Sequence, residues 1–161
     1  MAVGDIILGD GVFQINGVAV GLTRGGGQFT VEREYRVIDA DGDYGPVKGR
    51  IRKVRSTPKL TLNSLELTAS RLTDLYPALS VTATTLEASA DIATADYNEV
   101  KWIGTTKDGR DVIITIENAI NMDNIDLTMT DKEEIVASVT FTGTYSETDR
   151  TTEPWSVEWV S

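Results

Sequence analysis

Apolar and polar positions alternate with a period of two along much of this chain, as they do in strands with one packed and one solvated face. The cleanest run is residues 135–145. Ile135, Ala137, Val139, Phe141 and Tyr145 fall on one side, and Val136, Ser138, Thr140, Thr142 and Thr144 on the other. Residues 28–38 repeat the pattern: Phe29, Val31, Tyr35 and Val37 oppose Gln28, Thr30, Glu32, Glu34 and Arg36, with Arg33 the one charged residue on the apolar side. Residues 11–22 predict an opening hairpin, because Asn16-Gly17 is the strongest two-residue turn signal. Residues 99–119 predict a second hairpin, with arms 100–105 and 112–117 and a turn at Asp108-Gly109.

Other stretches interrupt the pattern. Gly25, Gly26 and Gly27 predict a flexible break before the 28–38 strand. Residues 39–46 hold three Asp, two Gly and a Pro, which excludes regular structure. Residues 47–56 resume an extended pattern that Pro58 is expected to close. Residues 59–67 alternate with a change of phase near Asn63-Ser64, which predicts a bulge. One short helix is expected over about 68–76, with Thr68 as N-cap, a stripe of Leu72, Leu75 and Tyr76, and Pro77 as the stop. Residues 80–98, rich in Ala and Thr, support no assignment, and residues 120–133 predict a polar connection.

Composition agrees with a mainly β chain. The 21 Thr, 15 Val and 13 Ile are stiff branched side chains that favour a pleated sheet over a helix. With 161 residues the chain predicts one domain, spanning 1–148, followed by a C-terminal arm over 149–161 that carries Trp155 and Trp159. Two Trp in a terminal segment require a surface to cover them, in this chain or in a neighbour.

Charge narrows the function. The net charge of −10 disfavours tight nucleic-acid binding. His and Cys are both absent, which removes Ser-His-Asp triads, thiol nucleophiles and the usual zinc and haem ligand sets. No segment approaches the roughly 20 apolar residues of a membrane span, nor does the N-terminal segment read as a secretion signal, so a soluble protein made in a cytoplasm is expected. The charge is uneven: residues 24–59 carry nine basic and five acidic groups, whereas residues 60–161 carry six and eighteen. Such a chain is electrostatically complementary to copies of itself.

Specific chemical motifs fail on inspection. Asp39-Ala-Asp-Gly-Asp43 resembles the start of a calcium loop, but Tyr44 and Arg50 stand where that loop needs Gly and a bidentate Glu. The glycines match no nucleotide fingerprint. The acidic residues lie mostly in turns and on wet faces, so no carboxylate pair for glycoside chemistry is singled out. The basic run Lys48, Arg50, Arg52, Lys53, Arg55 has only Tyr44 nearby to stack on a base, which favours a solvated or inter-subunit hairpin over a nucleic-acid site. No enzyme, cofactor or metal is predicted.

Taken in order, the pieces resemble a bacteriophage major tail tube protein. They are the 29–38 strand, the Asp/Gly tip, Gly45-Pro46-Val47-Lys48-Gly49 leading into a basic strand, Thr57-Pro58-Lys59-Leu60, Leu65-Glu66-Leu67 and the short helix before Pro77. Downstream, Ile114-Thr-Ile-Glu-Asn-Ala119, Asp131-Lys-Glu133 and Val139-Thr-Phe-Thr142 belong to the same likeness, which covers roughly residues 10–145. The resemblance implies a β-sandwich or barrel with one short flanking helix and a long protruding hairpin over about 36–57. It implies hexameric rings stacked into a tube, located in the virion tail and assembled in the bacterial host cytoplasm. The implied partners are other copies of the chain, a tape-measure protein and tail-tip and terminator proteins. DNA would pass through non-specifically, with no membrane involved. On this reading Tyr44, Pro46, Lys48, Arg50, Arg52, Lys53 and Arg55 make inter-subunit contacts. Gln28, Thr30, Glu32, Glu34, Ser138, Thr140, Thr142 and Thr144 are candidates for the lumen face, and Trp155 and Trp159 for contacts of the C-terminal arm. The alternatives are a tube from a contractile injection machine or bacteriocin, and a β-sandwich module whose Trp residues stack on carbohydrate.

Overall fold

The computed structural model of the chain describes residues 3–160. Its strands are β1 (Ile7–Ile15), β2 (Val18–Ala19), β3 (Thr23–Val37), β4 (Ile51–Ser64), β5 (Leu79–Thr82), β6 (Thr85–Ala88), β7 (Asn98–Thr106), β8 (Asp111–Asn121), β9 (Ala137–Gly143) and β10 (Trp155–Trp159). One helix, α1 (Ala69–Leu75), lies between β4 and β5. The chain is mainly β, with a large antiparallel sheet in a sandwich-like arrangement, as the alternation and the branched side chains predict.

Eight strands join in the order β2-β1-β7-β8-β9-β4-β3, with β10 added to β8. The sheet divides at β8, because residues 112–116 pair with β10 whereas residues 119–121 pair with β9. One branch presents Phe13, Ile15, Val100 and Ile116 inward, and the other presents Leu60, Leu62, Val139 and Phe141. Both sets belong to a single buried cluster, so the two branches act as the layers of one core. The helix adds Leu75 and Tyr76 to it. The Thr68 side chain accepts a hydrogen bond from the Arg71 N–H at 3.1 Å, the predicted N-cap. The turn residues Asn16 and Gly17 take φ values of 51° and 80°, as a tight hairpin turn requires.

Several expectations are corrected. The three glycines do not break the chain but lie inside β3. Five residues of β3, Thr23 to Gly27, stand against three of β4, Ser64 to Leu62, so the chain bulges at Gly25 and Gly26 with φ of 83° and 73°. The irregularity therefore sits in β3 and not at Asn63-Ser64, which stay in register with β9 to the end of β4. Gly27 has a different role: a Cβ there would stand 2.5 Å from Phe13 Cζ, so the missing side chain lets the β1 and β3 layers close.

Pro58 does not end a strand. It sits within β4 opposite Val31, one residue before β9 begins to pair on the other edge at Lys59. A missing N–H is tolerated where an edge is still unpaired. Residues 47–50 belong to the loop, and the strand begins at Ile51. Residues 80–98 hold the small β5–β6 hairpin, turned at Ala83-Thr84 with Ala83 at φ 54°, so none of the usual turn residues announced it. The C-terminal segment is not a separate arm, because β10 is hydrogen-bonded into the main sheet.

Candidate functional site

Beyond Val31 the β3–β4 hairpin leaves the body. From residue 32 to residue 55 every side chain is exposed except Asp43 and Arg50, which are half-buried. Tyr35, Val37, Ile38, Tyr44, Val47, Ile51 and Val54 are therefore all open to solvent, Tyr44 completely. The alternation continues into this arm, but no layer stands against its apolar side. The exposed hairpin spans about 32–55, slightly closer to the body than the expected 36–57.

Cross-strand register sorts the arm into two faces. Tyr35 lies opposite Lys53 and Val37 opposite Ile51, giving a largely apolar face. Arg36 lies directly opposite Arg52, a like-charge pair that disfavours the isolated ladder. A second bulge, near Val54, brings Arg55 opposite Glu34. The tip is held locally: Asp43 Oδ2 accepts from the Ala40 N–H at 2.9 Å and from Arg50 Nη2 at 2.8 Å. Arg50 thus serves the tip itself, whereas Lys48, Arg52 and Arg55 have no carboxylate within ion-pair reach among the described residues. Pro46 and Lys48 are exposed beside it.

The candidate lumen residues of β3 and β9 lie on one continuous outward face, joined through β4. Gln28 pairs with Thr61 and Thr61 with Thr140, Thr30 pairs with Lys59 and Lys59 with Thr142, and Glu32 pairs with Thr57. Thr61 and Thr140 share a hydroxyl hydrogen bond at 3.1 Å, and Lys59 Nζ reaches Glu32 at 3.2 Å. Ser138 is exposed and Thr140 half-buried. Thr142 is only 9% exposed, because Ile120 of β8 flanks it, so it is withdrawn from that face. Thr144 lies past the end of β9 and donates to the Asn118 carbonyl at 2.6 Å. Glu34 is beyond the body, on the arm. The sheet ends at β3, so all 15 residues of that strand leave one edge unpaired.

The C-terminal segment reaches the root of the arm. The Glu153 carboxylate accepts from Lys53 Nζ at 2.8 Å, from the Ser56 hydroxyl and from Trp155 Nε1 at 3.2 Å. These three donors, Lys53 first, hold Glu153 well below the ordinary carboxylate range, at about 2. The Tyr145 hydroxyl donates to the Ser56 carbonyl at 2.9 Å. Sequence reasoning missed Glu153, since nothing in its own neighbourhood marks it. Only the pairing of β10 with β8 brings it beside residues 53–56.

Trp155 packs on Phe29 with ring centroids 5.7 Å apart, tilted by 56°. Its partner surface is in this chain. Trp159 is 54% exposed at the end of β10. Among the described residues no group of three or more acidic, His or Cys side chains could hold a metal ion. No helix of the described residues is long and apolar enough to cross a membrane. No family model and no curated protein matches this chain.

Proposed function

We propose that this chain is a structural protein that self-assembles into stacked rings forming a tube, of the kind found in bacteriophage tails. The observation that carries the reading is the arm at residues 32–55. It exposes seven large apolar side chains and unpaired cations, on a chain whose remaining residues are strongly acidic. A two-stranded ribbon buries too little to be useful alone. A second copy supplies both things it lacks: apolar surface for the Tyr35, Val37, Ile51 side and negative charge for the Arg36, Arg52 side.

Two further features support the reading. The unpaired edge of β3 is a template for strand addition by a neighbour, and closing it in a ring removes an aggregation hazard. The outward face built from Gln28, Thr30, Glu32, Thr61, Ser138 and Thr140 is polar across three strands, as suits the wall of a wet channel. With the chain at −10, such a channel repels DNA and lets it pass without sticking. Tape-measure, tip and terminator proteins are the partners a tube of this kind needs.

Negative-stain electron microscopy of the concentrated protein, with its solution mass from the same sample, tests the proposal. Rings or hollow tubes are expected. A strictly monomeric species that stays monomeric when seeded with preformed tube ends overturns it.

A further inference from the structure

The cleft at the root of the arm is lined by cations from two separate parts of the chain. Lys53 and Arg55 come from β4, and Arg150 from the segment before β10, with Ser56, Tyr145 and Thr151 completing the wall. Its volume is about 490 Å³, far more than one carboxylate needs. One carboxylate is already seated there, Glu153, with Lys53, Ser56 and Trp155 as its donors. The cleft is thus shown to accept an acidic side chain, and it does so from within the chain. Arg55 and Arg150 are left without a carboxylate partner among the described residues.

We infer that this cleft is a carboxylate-binding socket, half filled in cis by Glu153, whose remaining guanidinium groups take the acidic 122–136 connection of a second copy. That segment carries Asp123, Asp126, Asp131, Glu133 and Glu134 against one Lys. Asp123 is engaged by the Thr140 N–H and Glu134 by Arg24. Asp126, Asp131 and Glu133 are exposed on irregular backbone outside the strands, where the chain can adapt to a partner. Arginine favours this pairing because its planar fork meets a carboxylate with two hydrogen bonds. Glu153 places a negative charge in the same cleft, so it lowers the affinity of the socket for any second carboxylate.

The inference rests on self-association, but its test does not need rings. A synthetic peptide of residues 122–136 is titrated into the monomer, and the indole N–H resonance of Trp155 is followed, since that group donates to Glu153. Binding is expected, with loss of at least about tenfold in affinity in Arg55→Glu with Arg150→Glu. Glu153→Gln is expected to tighten binding roughly tenfold, the opposite direction. A peptide with Asp126, Asp131 and Glu133 changed to their amides is expected not to bind. Both arginines are exposed, so the monomer stays folded, and its circular dichroism checks this. Peptide binding that ignores the arginine reversals, or that weakens in Glu153→Gln, overturns the inference. So does a short DNA duplex that outcompetes the peptide, which would assign the socket to phosphate. Absent tubes with these peptide results intact would count against the proposed function and not against the socket.

Discussion

Strand β4 contains two regions with the same alternation and opposite fates. From Ser56 to Ser64 every second residue is buried, and Leu60 and Leu62 are among the most enclosed side chains of the protein. From Ile51 to Arg55 the strand stays paired with β3 across the bulge near Val54, yet Ile51 and Val54 are about half exposed. The difference lies in the second layer. Residues 59–64 have β9 alongside and the β1–β7–β8 branch across the core, whereas residues 51–55 have only β3. Alternation therefore reports that a strand has one apolar face, and tertiary packing decides whether this chain or a neighbour covers it.

The sharpest way to test that contrast is to remove large side chains from each side of the boundary. Phe141→Ala, in the buried cluster, should lower monomer stability by about 3–5 kcal/mol in urea unfolding. Tyr35→Ala with Ile51→Ala should change it by no more than about 0.5 kcal/mol, because no second layer of the monomer covers them. The same double variant should raise the concentration needed for assembly by more than about tenfold, measured by sedimentation. A large loss of monomer stability in the arm variant would show that the arm folds back on the body.

A smaller effect probes the closure of the two layers. Gly27→Ala would place its Cβ 2.4 Å from the Thr61 carbonyl oxygen and against Phe13. Because one contact is backbone, relief requires the strands to separate, and a cost of about 1–3 kcal/mol is expected in the same unfolding assay. Gly45→Ala, at the arm tip with open space around it, should be neutral.

Charge separates the regions next. Reversing Arg52 and Arg55 to Glu should leave monomer unfolding within about 0.5 kcal/mol and block assembly at low salt. Arg50 is the control: Arg50→Glu removes the donor to Asp43 and should loosen the tip, seen as faster amide exchange over residues 39–50.

The smallest effect is in pH. Glu153 has a folded pKa of about 2 against an ordinary 4.5, so its contribution is complete above about 4.5 and fades as pH falls toward 2. Amide exchange across residues 149–160 should rise through that window before the core strands yield. In Glu153→Gln the rise should be absent, with faster exchange at every pH.

Much of the fold was legible because its signals are local. Asn16-Gly17 and Asp108-Gly109 state their turns in two residues, Thr68 and Pro77 mark both ends of α1, and the 135–145 alternation identifies β9. Where the signal was indirect the reading failed. Three consecutive glycines suit a loop and a bulged strand equally, and Ala83 turns a hairpin with a residue that rarely does so. Pro58 is tolerated in a strand only because of which neighbour is missing at its edge. The arm residues were singled out by their basic run and by the resemblance, but their sorting into an apolar and a cationic face required the register and the bulge near Val54.

The sequence by itself determined that this protein is mainly β, where most strands turn, that the usual His and Cys chemistry is absent, and that positive charge concentrates in residues 24–59. These follow from side-chain shape, turn stereochemistry and composition, which act over a few residues. Only the tertiary structure decided that Thr142 is withdrawn while Thr140 faces outward, that Trp155 rests on Phe29, that Arg50 serves its own turn, and that Glu153 meets Lys53 across a separation of 100 residues. Each depends on which strands lie side by side, a choice set by the burial of the whole core and encoded at no single position.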